Sequence, residues 1–133
     1  MSYLCSMKDK KSALIAEETF KWCCKYLGTP LKKYPKLTLN TDKRYSRKYG
    51  EYQNKEIVVF MNTCKGRKDI IGTIIHEYTH FLQMPRKKDI DKYHKLLEIH
   101  RYKDHPFEVE AEEFAKIYHL SVLEHLRKEG III

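Results

Sequence analysis

The chain is 133 residues long, 33% charged and 42% hydrophobic, with a formal net charge of +8 at pH 7. This is the composition of one soluble globular domain over residues 1–133 with a modest core, and no repeats or low-complexity linkers interrupt it. No apolar run is long enough to cross a bilayer, and residues 1–11 lack the apolar core of a cleaved secretion signal, so a cytoplasmic location is expected.

In chain order, residues 6–27 read as a helix. Ala13, Ala16, Phe20, Cys23, Cys24 and Leu27 form its apolar stripe, and Gly28 is its stop. Thr29-Pro30 breaks the chain. Residues 36–41 alternate, with Leu37 and Leu39 on one side, and read as a short strand. Residues 50–53 and 56–61 read as a hairpin about Asn54-Lys55, with Ile57-Val58-Val59-Phe60 as the best-buried strand. After a loop over 62–67 a second helix begins, with Asp69 as the expected N-cap and Met84-Pro85 as its end. A short helix over 90–99 carries Tyr93, Leu96 and Leu97 on its apolar side. Residues 101–105 are a loop, and Pro106 opens a last helix. Its stripe is Phe107, Ala111, Phe114, Ala115, Tyr118, Val122 and Leu126, up to Gly130. The expected class is α+β: an N-terminal helix, a small and mostly antiparallel three-stranded sheet, and three further helices.

The second helix carries His76-Glu77-Tyr78-Thr79-His80. Residues four apart on a helix share a face, so His76 and His80 can aim ring nitrogens at one metal ion. Glu77, one position round, stands beside that ion as a general base for a water whose pKa the metal lowers. Ile71, Ile74, Ile75, Tyr78 and Leu82 form an apolar face beside the motif, which suits a buried helix lining a cleft better than a solvated one.

Catalytic zinc takes a third protein ligand and leaves one position open. In the last helix Glu108, Ala111, Glu112 and Ala115 share a face, and the two alanines allow a close approach to the H-E-x-x-H helix. Glu108 is therefore the expected ligand. Glu112, one turn on, is placed to accept the other N–H of a ligand histidine and is the reserve ligand. Glu110 and Glu113 should point elsewhere, and His100 and His105 are alternative third ligands.

H-E-x-x-H followed by Pro-Phe-Glu-Val-Glu-Ala-Glu-Glu-Phe-Ala at 106–115 resembles the gluzincin zinc metallopeptidases, and is most similar to the minimal single-domain forms (minigluzincins) and the ImmA/IrrE-type peptidases. The resemblance implies the element order read above, Zn2+ held by His76, His80 and Glu108, and Glu77 as general base and acid in peptide hydrolysis. In that family the position of Glu112 is usually Asp or Asn. Tyr93, His94, Tyr102 and Tyr118 are candidates to stabilise the oxyanion. The hairpin over 56–61 is the candidate edge for holding an extended peptide or protein substrate.

Other readings follow from the rest of the chain. Cys5, Cys23, Cys24 and Cys64 form no C-x-x-C and are expected as reduced thiols, with Cys5 as a blocking metal ligand the minority case. Basic clusters at Lys32-Lys33-Lys36, Lys43-Arg44-Arg47-Lys48, Lys65-Arg67-Lys68 and Arg86-Lys87-Lys88 are interleaved with Tyr34, Tyr45, Tyr49 and Tyr52. They permit a nucleic-acid partner, or a peptidase that cleaves a DNA-bound repressor. A catalytically inactive zinc-binding domain, or a latent enzyme whose Ile131-Ile132-Ile133 tail fills the cleft, completes the alternatives. Oligomeric state is not legible.

Overall fold

The computed structural model describes residues 7–42 and 47–133. Cys5, Lys43, Arg44 and Tyr45 lie outside the described residues, and with them the blocking-ligand reading of Cys5. Helix α1 (Met7–Tyr26) buries Ile15, Ala16, Thr19, Trp22 and Cys23. Of the expected stripe, Ala13, Phe20, Cys24 and Leu27 are only half-buried. The face is rotated because α1 packs against two helices rather than one, and Trp22 meets Tyr118 of the last helix with ring centroids 5.6 Å apart.

Three strands follow: β1 (Lys36–Asn40), β2 (Gly50–Gln53) and β3 (Glu56–Phe60), in the spatial order β1-β3-β2. Asn54 and Lys55 take φ of 51° and 60°, the two left-handed positions of the tight turn that matches strand twist. That turn makes β2 and β3 antiparallel, with Glu51 opposite Val58. β1 reaches the far side of β3 and pairs with it in parallel, Leu37 opposite Ile57 and Leu39 opposite Val59. The sheet is therefore mixed. β3 is its centre, with Ile57 and Val59 fully buried, which leaves β2 rather than the 56–61 strand as an edge.

Helix α2 (Arg67–Gln83) is the central element, packed on α1, on β2 and β3, and most heavily on the last helix. Ile70, Ile71, Ile74, Ile75, Tyr78 and Phe81 are buried at helical spacing. Each contributes roughly 1.5–3 kcal/mol by leaving water. The Tyr78 hydroxyl donates to the Gly28 carbonyl, tying α2 to the end of α1. Asp69 is not the N-cap. Gly66 holds that position, and Asp69 sits in the first turn with its carboxylate accepting the Lys65 N–H at 2.9 Å. Asp89 does the same for the next helix, accepting the Arg86 N–H at 3.1 Å. This is why α3 (Lys87–Ile99) starts within the basic run rather than at residue 90.

A 3-10 turn (Tyr102–Asp104) leads into α4 (Pro106–Lys128). His105 caps α4: its Nδ1 accepts the Phe107 N–H at 3.0 Å and its Nε2 donates to the Tyr93 carbonyl at 2.9 Å. Val122, Leu123 and Leu126 bury the far half of α4. Gly130, at φ +71°, reverses the chain, so the Ile131 N–H meets the Leu126 carbonyl at 2.9 Å and Ile132 is 4% exposed in the core. Ile131 and Ile132 pack on the core, Ile133 is exposed, and none of the three lines the cleft. Among the described residues no helix is long and apolar enough to cross a membrane, and Cys23, Cys24 and Cys64 are free thiols. Burial drives the Cys23 thiol well above its ordinary pKa, with Cys24 adding to it.

Candidate metal centre

α2 holds His76 and His80 one turn apart, and α4 brings Glu108 to them from its first turn. Ala111, fully buried one turn after Glu108, keeps the two helices close. His76 Nε2 lies 2.9 Å and His80 Nε2 3.1 Å from the same atom, Glu108 Oε1. The three donor atoms all fall within 4.8 Å of one another, a group that could hold a metal ion. Glu108 is 3% exposed and His80 5%.

The outer ring nitrogens are also engaged. His76 Nδ1 lies 3.2 Å from Glu112 Oε1, and His80 Nδ1 lies 2.8 Å from Gln83 Oε1. The Gln83 amide cannot be turned round, because its Nε2 donates to the Phe107 carbonyl and to Glu110 Oε1, both at 2.9 Å. The His80 ring therefore donates through Nδ1 when neutral and presents its Nε2 lone pair to a carboxylate oxygen that also carries only lone pairs, and His76 presents the same lone pair when its proton sits on Nδ1 beside Glu112. Three acceptors converging on one point are what a cation satisfies, and this donor chemistry fits one. The Tyr93 hydroxyl donates to Glu108 Oε2, which turns Oε1 toward the histidines.

Electrostatics follow from this packing. Burial alone would raise the Glu108 pKa. Where the Nε2 atoms carry protons instead, hydrogen bonds from His76 and His80, the charge on His80 and the Tyr93 hydroxyl outweigh it and hold the carboxyl below the usual range. Burial alone would lower His80, but the Glu108 hydrogen bond and the Glu77 and Glu108 charges win and raise it. For Glu77 burial dominates: it raises the pKa, and the neighbouring Glu108 and Glu51 add to this against the pull of His80 and His76. A carboxylate kept reluctant to ionise is a better proton acceptor once ionised.

The group opens into a cleft of ≈1010 Å³ between β2, α2, α3 and the start of α4. Gly50 permits a close approach of strand to helix. A Cβ there would stand 2.5 Å from Thr73 Cγ2 and 2.8 Å from the Val58 carbonyl oxygen. His76, His80, Glu77, Glu108 and Glu112 all line this cleft. Glu110 is outside both the metal group and the cleft lining, and holds the Gln83 amide. His105 is spent on capping and His100 ends α3, so neither joins the group. Tyr93, His94 and Tyr102 face the cleft, while Tyr118 packs against Trp22 and Phe114 elsewhere. Gln83 was missed, although its place three residues after His80 on the same helical face was a readable signal. No family model matches the sequence, and neither a curated protein nor a solved structure matches it.

Proposed function

We propose that the chain is a zinc-dependent endopeptidase of the gluzincin type, hydrolysing peptide bonds with Glu77 as general base and acid. The observation that carries this reading is the convergence of His76 Nε2, His80 Nε2 and Glu108 Oε1, with Glu77 beside them in an open cleft. Two imidazoles and one carboxylate are a donor set that suits zinc. When bound, zinc would lower the pKa of a water and polarise the amide carbonyl. Glu77 would take a proton from the attacking water as the water oxygen bonds the carbonyl carbon, and deliver that proton to the nitrogen as the C–N bond breaks. Tyr102 and His94 stand on the cleft wall as candidates to donate to the carbonyl oxygen; Glu108 holds the Tyr93 hydroxyl and also engages that of Tyr102. The free edge of β2 offers backbone hydrogen bonds to an extended substrate. Unpaired Cys23, Cys24 and Cys64 agree with work in a reducing compartment, the cytoplasm.

The test pairs metal analysis with cleavage. Purified protein should carry one zinc and cleave casein or a broad peptide mixture, and Glu108→Ala should lose the metal. Glu77→Gln should keep the metal and lose activity by a factor of at least about 100. Zinc-loaded protein without activity on any peptide, or a Glu77→Gln variant as active as the parent, overturns the reading.

A further inference from the structure

The cleft is unevenly charged along its length, and α2 forms its floor, so position along that helix is position along the cleft. At one end Arg47, Lys48 and Lys68 line the wall, outnumbering Asp69, whose carboxylate accepts the Lys65 N–H at 2.9 Å. The middle holds the carboxylates Glu51, Glu77, Glu108 and Glu112. Beyond the metal group the wall turns apolar at Tyr52, Met84 and Ile90. These residues continue into an adjoining hollow of ≈300 Å³ rimmed by Lys55, Arg86 and Lys87. All six cationic residues are exposed. Lys48 lies 3.7 Å from Glu51, an exposed pair that an incoming anion can replace at little cost.

Strand β2 ties these features to one axis. A Cβ built on Gly50 lies 3.5 Å from Glu77 Cγ, so the reacting bond sits opposite Gly50 and Glu51. Arg47 and Lys48 lie just before that point of the strand, and Lys55 lies beyond its other end. At about 3.3 Å per residue, an extended chain on this edge meets cations two or three residues to one side and about four to the other.

We propose that the ligand of this cleft is an extended peptide with acidic side chains on both sides of the scissile bond and an apolar side chain toward Tyr52, Met84 and Ile90. This deepens the peptidase reading and rests on it. A nucleic acid fits the same charges less well. It carries a phosphate at every nucleotide, so a strand bridging the two basic ends would lay phosphates on the four central carboxylates. A peptide with acids only at its flanks avoids them.

The experiment uses three fluorescent peptides with one apolar core and flanks of Glu, Ser or Lys. Each is offered to zinc-loaded wild type for cleavage and to zinc-loaded Glu77→Gln for binding by anisotropy. Each exposed charge pair should contribute a few-fold, so the Glu-flanked peptide should bind and be cleaved about tenfold better than the Ser-flanked one. The Lys-flanked peptide should be worst. Lys68→Glu should remove the advantage of one flank, and Arg86→Glu with Lys87→Glu that of the other. Equal handling of the three peptides overturns the proposal and leaves the peptidase reading intact. Acid-selective binding without cleavage of any peptide upholds the ligand class and sinks the peptidase. Displacement of bound Glu-flanked peptide by a single-stranded oligonucleotide at lower concentration than by unlabelled peptide overturns the proposal in favour of a nucleic-acid groove.

Discussion

Gln83 offers the sharpest test of how the metal group is held. Gln83→Met keeps the bulk and removes the amide, so His80 Nδ1 loses the acceptor 2.8 Å away that turns its Nε2 toward Glu108. Loss of such an outer partner typically weakens metal binding 10- to 100-fold, about 1.4–2.7 kcal/mol. With zinc in fixed excess, the stabilisation by the metal falls by the same amount. A chain of 133 residues unfolds with an entropy of about 0.28 kcal/mol/K, so the zinc-induced rise in Tm should shrink by about 5–10 °C. The assay is thermal unfolding with and without zinc for both proteins. Taking the difference within each protein removes the stability lost with the Phe107 and Glu110 hydrogen bonds. Gln83→Glu supplies the control. It keeps an acceptor for Nδ1 and so keeps the zinc increment, while its charge beside Glu110 lowers the metal-free Tm. If Gln83→Met shows the same zinc increment as the parent, Gln83 does not orient His80 and the reasoning fails.

Gly50→Ala should destabilise by about 1–3 kcal/mol, because the new Cβ would press on Thr73 Cγ2 and on the Val58 carbonyl oxygen. An ordinary glycine would instead gain about 0.4–1 kcal/mol from the same change, so denaturant unfolding reads the sign, and Thr73→Ser should restore part of the loss. The pH dependence of the metal-free protein and of its zinc increment should run in opposite directions. His80 is raised, so its pairing contributes fully below about pH 6.5 and is lost as pH climbs through the raised value. Glu108 is depressed, so its contribution is present above about pH 4.5 and is lost only as pH falls through the depressed value. The zinc increment needs unprotonated Nε2 atoms and should grow from about pH 5.5 to 7.5; an increment independent of pH in melts over this range contradicts the assignment. Ile132→Ala should cost about 2–4 kcal/mol and leave cleavage of small peptides unchanged, since the side chain is 4% exposed and remote from the cleft. A rise in activity without loss of stability would restore the tail as a plug.

What could be read from the sequence was whatever depends on residues near one another in the chain. The period of Ile71, Ile74, Ile75 and Tyr78 marks one buried face of α2 and, by elimination, the face that carries His76 and His80. Asn54-Lys55 sets the hairpin, Pro106 opens α4, and the phase of Glu108 with Ala111 points that carboxylate at the neighbouring helix. These follow from backbone geometry and helical spacing, which a short window of sequence already specifies. Tertiary packing decided the rest. That β1 pairs parallel to β3, making β3 the centre and β2 an edge, depends on where the connection after β1 returns, and no local pattern records that. The buried face of α1 turns toward Trp22 because two helices, not one, cover it. His105 resembles a ligand in sequence and becomes a cap only when Tyr93 of α3 lies against it. Gln83 acquires its role only when Phe107 and Glu110 claim its amide nitrogen and leave the oxygen for His80. A hydrogen-bonding side chain has many possible partners in the unfolded sequence, and only the folded neighbourhood selects among them.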